Sequence, residues 1–255
     1  MVLNYKVFGD FGEDVIILHG LLGSLDNWQT VARSLEDTYR IWIFDQRNHG
    51  RSPHADEMNY DVMAEDLKDF MSQHEVEHAH IVGHSMGGKV AMTFSLKYPD
   101  MVDDLVVIDI GPKSYEGNHI PALKAIISTD VSRYKEREEV EAIISQKVKS
   151  DFMTQVIMKN LGRDAHTHFF WRPNADVLLK SYRNLMDSTL GNGIFDKKTS
   201  FIKGALSPYI QVEDFPSYKE NFSQAQLFIV PKAGHMLHVE QQAYFIDLLM
   251  NILGE

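Results

Sequence analysis

Short apolar runs alternate with amphipathic stretches along most of this 255-residue chain. Asp14–Leu18, Arg40–Phe44, His78–Val82, Leu105–Asp109, Phe201–Lys203 and Gln226–Val230 are compact and rich in β-branched or aromatic residues, and they read as strands. Their apolar residues stand at consecutive rather than alternate positions, as in strands covered on both faces. Asn27–Leu35, Tyr60–His74, Ser85–Lys97 and Glu240–Leu253 carry the helical period. Tyr60, Met63, Leu67 and Phe70 form the buried stripe of the second of these. The alternation predicts an α/β fold, a mostly parallel sheet with crossover helices on both faces.

The rhythm breaks after Asp109. From Lys113 to Gly193 strand patterning disappears and helical segments follow one another. Ser132–Ser150 is densely charged, Asp151–Leu161 is rich in Met, Ile and Val, and strand–helix alternation resumes at about Thr199. The expected organisation is a core of residues 1–112 and 194–255 with a helical cap, 113–193, inserted between two consecutive strands. The alternative is a set of extra helices packed beside the core, with no bearing on a site.

Gly83-His84-Ser85-Met86-Gly87-Gly88 stands between an expected strand and an expected helix. A G-x-S-x-G sequence there predicts a sharp turn that exposes the Ser85 hydroxyl at a helix N-terminus, where developing negative charge is favoured. Gly83 and Gly87 let the two arms of the turn approach. The matching general base is expected after the last strand. His235 in Pro231-Lys232-Ala233-Gly234-His235-Met236 follows Gln226–Val230 directly, at the same end of the sheet, and the spacing singles it out from the twelve histidines. Met86 N–H and Leu21 N–H, the latter from His19-Gly20-Leu21-Leu22-Gly23-Ser24, are the expected oxyanion donors.

Composition narrows the chemistry. No cysteine is present, so a thiol nucleophile and a zinc–thiolate site are excluded and serine must carry any covalent step. A net charge of −11 disfavours nucleic acid as a partner. The first twenty residues lack a basic stretch followed by a long apolar run, and no window approaches about 20 unbroken apolar residues. A cytoplasmic protein with no membrane span is expected. The histidines at 74, 78, 80, 84, 166 and 168 fit no metal-ligand spacing, so no metal is expected.

Taken with Asp45-Gln46-Arg47-Asn48-His49-Gly50-Arg51-Ser52 and Trp171-Arg172-Pro173-Asn174, these motifs resemble the α/β-hydrolase superfamily over essentially the whole chain. Within it the chain is similar to the small carboxylesterase and acyl-thioesterase branch. The resemblance implies the α/β-hydrolase fold and a Ser-His-Asp triad. It also implies a small-molecule acyl ester or thioester substrate of short-to-medium chain, and no cofactor. In most of the superfamily the acid follows the penultimate strand, but Ser207 stands about there in this chain. Some members place the acid where Asp109 stands. Asp109 is the preferred acid, with Ser207 as a second hydrogen-bond partner of His235; Glu213 and Asp214 lie too far along the loop.

The stretch from Asp45 to His49 is expected to brace the oxyanion loop, and Asp26 to cap the first helix. The expected substrate pocket includes Leu22, His84, Phe152, Met153, Trp171 and Met236, whereas His238 is expected to pack. Two rival readings remain on the same fold. A C–C bond hydrolase or menaquinone-pathway-type lyase would need inward-pointing arginines, with Arg163, Arg172 and Arg183 as candidates. A non-catalytic binding protein would have no use for Ser85 and His235. Nothing in the sequence sets the oligomeric state.

Overall fold

Val15-Ile16-Ile17-Leu18 and Ile41-Trp42-Ile43-Phe44 are buried at every position because helices cover both faces of the sheet they enter. The computed structural model describes residues 1–189 and 193–254. Among these, strands β1 (Tyr5–Phe8), β2 (Asp14–Leu18), β3 (Arg40–Phe44), β4 (Ala79–His84), β5 (Val102–Ile108), β8 (Phe195–Gly204) and β9 (Phe222–Val230) form one sheet in the order β1-β3-β2-β4-β5-β8-β9. Every pairing is parallel except that of β1 with β3. Side-chain alternation divides the core. Ile16 and Leu18 join Ile81 and Val107 under α2 (Tyr60–Gln73) and α3 (Met86–Lys97). Val15 and Ile17 join Val82 and Val106 under α1 (Gln29–Leu35) and the C-terminal helix, which supplies Phe245 and Leu249.

Between β5 and β8 run α4 (Ile120–Ile127), α5 (Arg137–Val148), α6 (Asp151–Met158), α7 (Ala175–Lys180) and α8 (Tyr182–Met186). This segment also holds a two-stranded hairpin, β6 (Leu161–Arg163) and β7 (Phe169–Trp171), apart from the main sheet. A short helix, α9 (Phe215–Tyr218), precedes β9, and α10 (Leu237–Glu240) and α11 (Gln242–Gly254) close the chain. No described helix is long and apolar enough to cross a membrane.

Several boundaries differ from the sequence expectation. The edge strand β1 is largely solvent-exposed, so it carries no buried run to announce it. The β6–β7 hairpin interrupts a segment expected to be wholly helical, its three-residue strands being too short to show a period. β8 starts at Phe195, well before Phe201, because its first half pairs with β9 while β5 meets only Thr199–Ile202. β5 stops at Ile108 because Asp109 turns to φ 51°. The first helix splits into a 3-10 turn, Leu25–Asn27, and α1. Asp26 accepts from the Gln29 side chain at 2.5 Å rather than from a backbone N–H, so it does not cap the helix as expected.

Candidate active site

β4 ends at His84 and α3 begins at Met86, so Ser85 alone makes the turn between them. Its backbone sits at φ 54° and ψ −119°, a conformation costing on the order of 1–3 kcal/mol. Neighbouring backbone holds it there. Ser85 N–H donates to Ile108 O at 3.0 Å, which ties the turn to the end of β5. A Cβ on Gly83 would lie 2.3 Å from Gly87 O, and one on Gly87 2.4 Å from Leu18 O, so both positions exclude a side chain. Met86, as the first helical residue, has an N–H without an intrahelical acceptor.

Asp109 follows β5 in a left-handed conformation, its N–H donating to Ile202 O at 2.8 Å. Its side chain is fully buried and accepts three hydrogen bonds. Oδ1 takes Gly204 N–H at 3.0 Å; Oδ2 takes the Ser207 hydroxyl and His235 Nδ1, the latter at 2.7 Å. Ser207 therefore bonds Asp109 and not His235, contrary to the expectation that it is a second partner of the imidazole. β8 ends at Gly204, and the loop beyond it brings the Ser207 hydroxyl onto the carboxylate, leaving no hydrogen bond from Ser207 to the ring. Asp214 lies farther out, paired with Lys113.

The His235 ring is held on two sides. Tyr209 stacks on it at 4.1 Å between centroids, and the His84 ring lies 4.7 Å away. His84 Nε2 donates to the His235 carbonyl at 2.9 Å. Burial, reinforced by His235 and His238 nearby, pushes His84 well below the usual imidazole range, so it stays neutral. Because the Asp109 carboxylate accepts, His235 Nδ1 carries the proton of the bond between them. His238 stacks on Trp28 at 4.4 Å, the packing role expected of it, and burial lowers its pKa to about 3.

The loop carrying Leu21 is braced from beneath and from the side. His19 Nδ1 donates to Gly20 O at 2.8 Å while Nε2 accepts Gln46 N–H at 3.0 Å. Burial holds this imidazole neutral, with its pKa down to about 4. Asp45 accepts Leu25 N–H and Arg51 N–H, both at 2.8 Å, and Arg47 forks onto Asp66 at 2.5 and 2.8 Å. None of Asp45, Arg47, Asn48 and His49 lines either cavity described below. Asn160, after α6, was missed from the sequence. Its buried amide donates to Leu22 O at 2.8 Å and Val156 O at 3.0 Å, and a contact spanning 138 residues leaves no local signal.

Two cavities meet at Ser85. The outer one, about 410 Å3, contains Leu21, Ser85 and His235 in its lining. Of the expected pocket residues, Leu22, His84, Phe152, Met153 and Met236 line it; Val156, Lys159 and His119 were not anticipated. Trp171 does not line it, a correction: its indole N–H is fixed on Thr129 O at 3.0 Å in the β7 hairpin. The inner cavity, about 20 Å3 or room for a water molecule, is lined by Leu21, Ser85, Met86, Lys89, Tyr115 and Tyr209, among others. Arg163, Arg172 and Arg183 line neither. Among the described residues no group of three or more His, Asp or Glu side chains could hold a metal ion.

A profile for the alpha/beta hydrolase fold matches residues 15–242. Esterase YbfF of Escherichia coli is 33% identical, the match covering 94% of this chain and 93% of that protein. The zebrafish (Danio rerio) sn-1-specific diacylglycerol lipase ABHD11 is 34% identical, over 98% of this chain and 82% of its own. A solved structure described as a marine microorganism esterase superposes with a TM-score of 0.94 at 40% identity, covering 98% of both chains. On the profile match and these relatives, the chain belongs to the α/β-hydrolase fold family.

Proposed function

We propose that the chain is a serine hydrolase acting on carboxylic esters or thioesters of short-to-medium acyl groups through an acyl-enzyme. One observation carries this reading: a strained Ser85 and a His235 whose Nδ1 is bonded to the buried Asp109 carboxylate line the same cavity. The relatives named esterase or lipase support the substrate class.

In the proposed cycle Ser85 Oγ forms a bond to the acyl carbon as His235 Nε2 takes the hydroxyl proton. Asp109 keeps the ring in the tautomer that can accept it and stabilises the imidazolium. Leu21 and Met86 N–H groups hold the oxyanion; one such donor is worth roughly 3 kcal/mol in comparable sites. The bond to the leaving oxygen or sulfur then breaks and His235 returns its proton to that atom. Water, activated by His235, attacks the acyl-enzyme and releases the acid and Ser85. In this reading Ser207 braces Asp109, and residues 113–193 are a cap inserted in a core of 1–112 and 194–255. The cap supplies Phe152, Met153 and Val156 to the cavity wall. The C–C bond and lyase readings lose support because none of the three candidate arginines faces either cavity.

The test is labelling with a fluorophosphonate probe alongside hydrolysis of p-nitrophenyl esters from acetate to decanoate. Wild type should label and turn over short-to-medium esters, and Ser85→Ala should do neither. Turnover persisting undiminished in Ser85→Ala would overturn the reading. A steady fall in rate from acetate onward would overturn the chain-length assignment.

A further inference from the structure

Lys89 is buried one helical turn after Ser85, in the lining of the inner cavity. Its ammonium donates to Lys113 O at 2.9 Å and to Asp187 O, and it lies 5.1 Å from the centre of the Tyr115 ring and 5.7 Å from that of Tyr60. An ammonium has three donors, and two are taken by carbonyls. No described carboxylate forms an ion pair with it; burial lowers its pKa to about 8, and the nearby Asp187 charge offsets only part of that. The third N–H of this buried ammonium lies among the Tyr60 and Tyr115 rings in the lining of a cavity beside Ser85, where an oxygen acceptor would be the stronger partner.

The two cavities are not equivalent for the reaction proposed above, on which this inference rests. His235 lines the outer cavity and not the inner one, and the stacked Tyr209 ring lines the inner cavity. The leaving group has to sit where His235 can protonate it, on the outer side. The acyl group therefore extends from Ser85 past Leu21 and Met86 into the inner cavity. We propose that Lys89 selects the acyl group, favouring a short chain tipped with an oxygen acceptor, while the outer apolar cavity takes a bulky apolar alcohol. The space of about 20 Å3 has room for a water molecule, whose place at the ammonium a carbonyl or carboxylate oxygen would take. Glu116, exposed at the rim, is the carboxylate in that lining, and it disfavours an anionic tip relative to a neutral one.

The experiment compares octyl esters of pentanoic acid, 4-oxopentanoic acid and butanedioic acid (as the half-ester) with wild type, Lys89→Met and Glu116→Gln. In wild type, kcat/KM for at least one oxygen-tipped ester should exceed that of the pentanoate by roughly tenfold to a hundredfold, the worth of one charged hydrogen bond. That ratio should fall toward one in Lys89→Met, and Glu116→Gln should raise the half-ester relative to the oxo-ester. The oxo and carboxylate arms tell which acceptor is preferred. Equal rates on all three esters in wild type would overturn the proposal, as would a ratio that survives Lys89→Met. A uniform loss on all three esters with a lowered Tm in that variant would overturn it too, since Lys89 would then be only a tether between Lys113 and Asp187. Should Lys89→Met not fold, the wild-type ratio still decides. Fluorophosphonate labelling runs in parallel: no labelling sinks the serine hydrolase reading, whereas labelling without acyl discrimination sinks only the role of Lys89.

Discussion

The two walls around Ser85 are built differently. On the sheet side directional hydrogen bonds hold the polar groups: Ser85 N–H is tied to Ile108 O, Asp109 to Ile202, Gly204, Ser207 and His235, and the His235 carbonyl to the His84 ring. On the other side, Phe152, Met153 and Val156 of α6 face the cavity through apolar contact, and Phe152 is 58% exposed. A few polar ties join this segment to the core, chiefly Asn160 to Leu22 and Asn174 to Asn48, the latter by a backbone bond at 3.0 Å and a side-chain bond at 3.2 Å. Directional bonds fix atoms to a fraction of an ångström, while apolar contacts tolerate exchange of side chains of similar volume. The proposed catalytic groups are therefore rigidly held, whereas the apolar wall of the outer cavity tolerates exchange.

Five measurements press on that contrast. Asp109→Asn should lower kcat by roughly a thousandfold to ten-thousandfold, because the amide cannot stabilise imidazolium and can invert the tautomer. Ser207→Ala, which removes one of three donors to the same carboxylate, should cost roughly tenfold or less. The reverse ranking would move the acid to the other strand end.

Acid should weaken the fold through its buried histidines. His19, His49, His119 and His238 are held neutral by burial, with pKa values of about 4, 3, 4 and 3, and burial pushes His84 well below the usual range as well. Unfolded histidine titrates near 6.5, so the unfolded chain binds more protons below that pH and the native state loses ground. Stability should be full above about pH 6.5 and decline as pH falls toward 3, because these five imidazoles take up protons on unfolding. A flat Tm between pH 7 and 5 would contradict this.

Smaller effects belong to the other wall. Asn160→Ala leaves Leu22 O without its buried donor and should lower stability by about 1–3 kcal/mol and kcat by several fold, read by denaturant melts and ester kinetics. Phe152→Ala should leave kcat on acetate esters within about twofold and mainly raise KM for esters of long-chain alcohols, since an exposed rim residue contributes only part of its area.

Sequence carried some of this arrangement and not the rest. β2 and β3 have the bounds their apolar runs announce, since full burial on both faces leaves a continuous signal. β1, exposed at the edge, and the three-residue strands of the hairpin leave none. Ser85 and His235 could be found because each follows a readable strand. The proposed acid is legible in the sequence only as a choice between Asp109 and Ser207, since both stand at strand ends that meet in space. Lys89 reads as an ordinary helix residue until α3 is packed, and Asn160 as an ordinary helix terminus.

The meeting of those two strand ends has an evolutionary consequence. His235 Nδ1 and the Ser207 hydroxyl share one oxygen of Asp109, so the tips of β5 and β8 converge on a single point in front of the imidazole. A carboxylate introduced at position 207 would arrive beside the one already at 109, and the older could then be lost without the histidine ever standing alone. On the proposed mechanism the acid is thus attached to a place rather than to a strand, and descendants of one ancestor could carry it on either strand while keeping the same histidine and the same serine.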